Sequence, residues 1–137
     1  MKLIFTGDVS FTGIYHDGVK SGISNEILGK ELTKALKSDY LICNLEGPTT
    51  SKKSITRTDV NVTSPPESIS LLHSLGFNIF NLANNHTFDV LDEGYEDTVE
   101  LADKFKIKYF GAGKNIQEAS EILYARKDSV VVALIGV

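Results

Sequence analysis

Four residues of this chain carry side chains suited to holding a cation or moving a proton, and each stands at the end of an apolar run: Asp8, Glu46, Asn85 and His86. Asp8 follows Leu3, Ile4, Phe5 and the glycine Gly7; Glu46 closes the run 40–45; Asn85 and His86 come directly after the run 77–83. Carboxylates at the margin of an apolar sheet are costly unless something satisfies them, and a divalent cation is the simplest partner for two acids, an amide oxygen and an imidazole. An imidazole beside acids in a cleft can also shuttle a proton.

Each residue taken singly has a plainer reading. Asp8 could cap the following loop, Glu46 could pair with Lys52, and Asn85 could hold a turn through its side chain. Recurrence after three successive strands favours one shared site. His73 sits among Leu71, Leu72 and Leu75 and is expected to be structural or solvated, while His16 lies in the loop after the first strand with nothing to support a role. Asn61, Val62 and Thr63 match a glycosylation sequon of a length that chance supplies.

The elements that must position these residues alternate. Apolar runs of strand length occupy 3–5, 40–45, 77–83 and 107–110. Helical spacing covers 25–37 and 93–104. A third helix is signalled by Ser64 as N-cap, Pro65 at the first helical position and Glu67 completing a capping box, with Gly76 closing it. Residues 10–24 are expected to form a glycine-rich loop and 49–63 a long polar loop with an extended piece at 60–62. Asn115 and Glu118 are expected to cap a short helix, and 121–125 and 129–137 to form two strands joined at Lys127 and Asp128. The alternation predicts an α/β fold with a mainly parallel sheet flanked by helices and covered on both faces, and in such sheets ligands bind beyond the carboxyl ends of the strands.

With 137 residues and 42% hydrophobic content, the chain has material for one core. Its net charge of −4, from 18 acids and 14 bases without a basic stripe, argues against a nucleic-acid partner. The single cysteine, Cys43, lies inside an apolar run and reads as a buried small hydrophobe in a reducing compartment. No apolar stretch approaches the ~18 residues of a membrane span. A cytoplasmic location is therefore expected from this chain, or an extracytoplasmic or membrane-anchored one if an upstream segment has been removed.

The segments Phe5-Thr6-Gly7-Asp8-Val9, Asn44-Leu45-Glu46-Gly47-Pro48 and Asn81-Leu82-Ala83-Asn84-Asn85-His86 with Asp89 just after resemble the bacterial capsule synthesis CapA family. So do the later Gly111-Ala112-Gly113 and Glu118-Ala119. That family is linked to poly-γ-glutamate capsule formation and is a branch of the calcineurin-like metallophosphoesterase superfamily. The resemblance implies that Asp8, Glu46 and Asn85 are metal ligands for divalent ions of the Mn, Fe or Zn class, with His86 catalytic and Asn44 and Asn84 near substrate. It implies a small-molecule or polyanionic substrate and hydrolysis of a phosphoester or related bond, the alternative being a non-catalytic binding or assembly module of capsule biosynthesis. Two departures stand out. Ser10 occupies a position where the superfamily usually has a histidine, and the family's further metal-binding histidines have no counterpart before Val137. Residues 1–137 are thus expected to be the N-terminal portion of one domain, about half of a four-layer αββα sandwich, inactive alone, with an exposed sheet edge as a surface for homodimer formation.

Overall fold

The computed structural model describes residues 1–22, 29–53 and 61–137. Four strands, β1 (Leu3–Val9), β2 (Tyr40–Leu45), β3 (Ile79–Asn81) and β4 (Lys108–Phe110), form a parallel sheet in the order β1-β2-β3-β4. The register sets Ile42 opposite Phe5 and Ile79, and Asn81 opposite Asn44 and Phe110. Helices α1 (Ile14–Lys20), α2 (Gly29–Ala35), α3 (Glu67–Ser74) and α4 (Leu91–Lys104) lie between the strands. A short α5 (Ile116–Ala119) leads into an antiparallel hairpin of β5 (Leu123–Lys127) and β6 (Val130–Leu134).

Strand order equal to chain order has a consequence for the layers. Right-handed crossovers that advance in one direction place their helices on one face of the sheet. Alternate residues of β2 accordingly meet different partners. Leu41, Cys43 and Leu45 pack with Phe80 and Leu82 against Ile69 and Leu72 of α3 and Tyr95 and Ala102 of α4. Ile42 packs with Ile79 and Phe110 against Leu134, with Leu123 and Val132 of the hairpin alongside. The sheet is thus flanked by helices and covered on both faces, as expected, with the helices on one face and the β-hairpin on the other. The hairpin leaves Phe5 of β1 62% exposed. Phe80, fully buried at the centre of the helix-facing core, is the kind of side chain whose burial contributes roughly 1.5–3 kcal/mol.

Three local expectations change. Residues 14–20 form helix α1 where a loop was expected; only Val19 among them is buried, so no apolar stripe marks the segment. Ser64 does not cap α3, whose N-cap is Pro66 without a side-chain bond. Instead Ser64 bridges to Thr49 and its Oγ accepts from the Phe11 N–H at 2.8 Å, so the hydroxyl ties two loops together. The final hairpin turns at Asp128 and Ser129, with Lys127 paired to Val130, one residue later than the spacing suggested. The Asn115 cap matches expectation, its side chain accepting from the Glu118 N–H at 3.0 Å. Part of the helix expected over 25–37, and residues 54–60 of the polar loop, Val60 among them, lie outside the described residues.

Candidate functional site

Asp8 stands one residue before the end of β1, opposite Asn44 of β2, just past a register irregularity between Phe5 and Asp8. Gly7, at φ +78°, occupies that irregularity and supplies a backbone conformation that L side chains rarely adopt. Glu46 follows β2, its N–H donating to the Val9 carbonyl at 3.0 Å. Asn84, Asn85 and His86 begin the turn after β3, which leads through Val90 into α4. The sheet therefore brings Asp8, Glu46, Asn85 and His86 to the carboxyl ends of three neighbouring strands.

A web of side-chain amides joins those ends. Asn44 Nδ2 donates to Asp8 Oδ1 at 2.8 Å, while Asn44 Oδ1 accepts from Asn81 Nδ2 and Asn84 Nδ2, each at 3.2 Å. Asn84 Nδ2 also donates to the Leu45 carbonyl at 3.0 Å, and Asn84 Oδ1 accepts from the His86 N–H at 3.0 Å. Asn81 Oδ1 holds the Ala83 N–H at 3.1 Å. Both residues singled out near substrate, Asn44 and Asn84, thus have side chains engaged in locking strand ends to one another. Such a network fixes Asp8 relative to the His86 turn without any salt bridge. Beside it, on the hairpin face, opens a cavity of about 240 Å³ lined by residues including Phe5, Asn44, Asn81 and Ile135.

His86 is held at its ring as well as at its backbone. Its Nδ1 lies 2.8 Å from Asp89 Oδ2, with both side chains mostly buried. An ionised carboxylate only accepts, so the neutral ring's proton is assigned to Nδ1, which leaves Nε2 with its lone pair. The same Oδ2 accepts from the Val62 N–H at 2.8 Å. Val62 in turn lies against Gly47, where a Cβ would come 2.0 Å from the Val62 carbonyl oxygen. Asp89 was visible in the sequence only as part of the family-like block, and its pairing with His86 comes from the turn that follows β3.

Among the described residues no basic side chain neutralises either strand-end acid. Lys52, the alternative partner for Glu46, instead binds Asp97 at 2.8 Å and approaches Glu93 at 3.9 Å. That Asp97 bond holds the Lys52 ammonium above its ordinary range. Two carboxylates and an amide oxygen fit a hard divalent cation in donor chemistry. Among the described residues no three His, Cys, Asp or Glu side chains gather closely enough to hold a metal by themselves. Asp8 and Glu46 would therefore need Asn85 or ligands from further chain to complete a shell. His16 pairs with its neighbour Asp17 at 3.3 Å in α1, and His73, exposed on α3, meets Phe105 in a tilted ring contact with centroids 5.4 Å apart, in keeping with the structural or solvated placement expected for it. Among the described residues, no helix is long and apolar enough to cross a membrane.

Comparison with known proteins fits this arrangement. Residues 2–137 match the family described as bacterial capsule synthesis protein PGA_cap. The chain is similar to the capsule biosynthesis protein CapA of Bacillus anthracis, 33% identical over 103 residues, covering 72% of this chain and 25% of that protein. It is also similar to the PGA biosynthesis protein CapA of Bacillus subtilis (strain 168), 31% identical over 102 residues, covering 72% of this chain and 27% of that protein. It spans about a quarter of the length of these curated relatives. A match running from the second residue to the last, across the strand ends that carry Asp8, Glu46 and His86, places the chain in the bacterial capsule synthesis family PGA_cap, to which it belongs.

Proposed function

We propose that this chain supplies the strand-end part of the active site of a capsule-biosynthesis hydrolase, metal-dependent and acting on a phosphoester or related bond in a small-molecule or polyanionic substrate. The observation that carries this reading is the placement of two carboxylates, Asp8 and Glu46, that pair with no basic side chain among the described residues, at strand ends neighbouring the turn of a histidine whose ring is fixed through Nδ1. The relatives' printed names, capsule biosynthesis and PGA biosynthesis, support the capsule context and a poly-γ-glutamate product.

Asp8, Glu46 and the Asn85 amide oxygen would hold the cation, which when bound would act as a Lewis acid on the oxygens of the bond being broken. Asn44 keeps one Asp8 oxygen engaged and so orients the carboxylate. His86, with its Nδ1 proton directed to Asp89, offers Nε2 for proton transfer to or from the leaving group. Asn84 sets the backbone angle from which that ring projects.

A second reading, a non-catalytic binding or assembly module, draws on Ser10 standing where the superfamily usually has histidine and on the incomplete ligand set. Elemental analysis of metal in this chain and in a form extended to the length of its relatives, together with turnover of a generic phosphodiester, separates the two. Metal retained in the extended form and lost in Asp8→Ala, with His86→Ala keeping metal but losing turnover, is the expected result. No metal in any form would end the hydrolase reading and leave the binding module.

A further inference from the structure

We propose that Asp89 is the positioning residue of His86, and that it is itself held by the main-chain N–H of Val62 seated on Gly47. The inference rests on the reading of His86 as the proton-handling group.

Three observations carry it. Asp89 and His86 are joined at 2.8 Å in a mostly buried pair, with side-chain exposures of 12% and 18%, so little water competes for the bond. The oxygen that faces the ring is the one that accepts from Val62 at 2.8 Å, which fixes its direction independently of the histidine. Val62 cannot retreat towards the strand end without meeting Gly47, whose φ of +77° and missing Cβ admit the Val62 carbonyl. The loop arriving at Val62 is therefore coupled to the His86 ring through one carboxylate.

The chemistry required of a positioning group follows. A carboxylate at Nδ1 selects one tautomer, and the opposite nitrogen Nε2 is then the only ring position able to accept a proton. Without Asp89 the neutral ring would populate the Nε2–H form that free imidazole side chains favour, and the lone pair would face inward.

Long-range ¹H–¹⁵N correlation on the intact ¹⁵N-labelled chain reads the tautomer directly, at a pH where the imidazole is neutral and with His86 assigned by its loss in His86→Gln. The expected spectrum shows a protonated Nδ1 with a downfield, hydrogen-bonded proton and a lone-pair Nε2. Asp89→Ala should shift His86 towards the Nε2–H form. Asp89→Asn, which keeps an oxygen for Val62 and the fold with it, should move the Nδ1 proton upfield as the charge-assisted bond weakens. A wild-type His86 protonated at Nε2, or an Nδ1 proton unmoved by Asp89→Asn, would overturn the proposal. The test needs neither metal nor turnover, so its failure is distinct from failure of the hydrolase reading.

Discussion

Asn44 reaches across the β1–β2 pair to donate to Asp8 at 2.8 Å, and the same side chain accepts two further amides, from Asn81 and Asn84. One residue thus binds three strand ends. Asn44→Leu, close in volume but without polar atoms, would leave both donors without their shared acceptor. A loss of about 1–3 kcal/mol in urea unfolding is expected, the range for part-buried polar groups left unpaired. In a metal-loaded form of the protein it should also weaken retention, because Asp8 loses its orientation.

The sheet and the strand-end placement of the candidate residues were largely legible in the sequence because apolar runs ending in Gly, Pro or polar residues mark the strands of a parallel sheet, although β1, expected to be buried, is largely exposed. Asp8, Glu46 and Asn85–His86 could each be placed at a strand end from that pattern alone. Helix α1 was not legible, since a helix with one buried residue has no stripe to detect. Ser64 misled for another reason: Ser followed three residues later by Glu is a capping box only if no other group takes the hydroxyl, and here the Phe11 N–H does. The Asp89 role depends on a turn geometry and a distant backbone N–H that spacing does not report.

Gly47→Ala should be severe, and Gly76→Ala mild, although both glycines have positive φ. At Gly47 a Cβ would stand 2.0 Å from the Val62 carbonyl oxygen; at Gly76 nothing lies within 4 Å. The second substitution should cost roughly 1–2 kcal/mol of backbone strain. The first should add about 1–3 kcal/mol of overpacking and shift the His86 ring resonances. Thermal unfolding with NMR on both variants checks the contrast.

The Cys43 thiol should be inert in the folded protein. It is buried on the helix side of β2, and burial pushes its pKa up to about 12, so the reactive thiolate is scarce. A thiol reagent at mildly alkaline pH is expected to leave Cys43 unmodified without denaturant and to label it fully once the chain unfolds. Rapid labelling of the folded chain would contradict the packing described for β2.

Acid should weaken the attachment of the loop at Thr50 and Lys52 to α4. Burial raises the Asp97 carboxyl, but hydrogen bonds from Lys52 and Thr50 outweigh it and hold it below its ordinary value of 3.8. A carboxyl depressed in the folded state contributes stability that is fully present above 3.8 and is lost as the pH falls through the lower folded value. Asp97→Asn should therefore lower the urea midpoint at neutral pH and narrow its gap to wild type below pH 3.8. Midpoints measured across that range test both halves of the expectation.

Because each strand of the main sheet pairs with the strand made just before it, the order of synthesis is also an order of assembly. A chain leaving the ribosome can dock β2 on β1 while β3 is still being made, so no early strand waits unpaired for a late partner. The Asp8–Asn44 bond needs only β1 and β2, whereas the contacts of Asn84 and His86 need the turn after β3 as well. The strand ends that carry the candidate site are thus encoded in the order in which they stand side by side, so each can find its neighbour as soon as it is made.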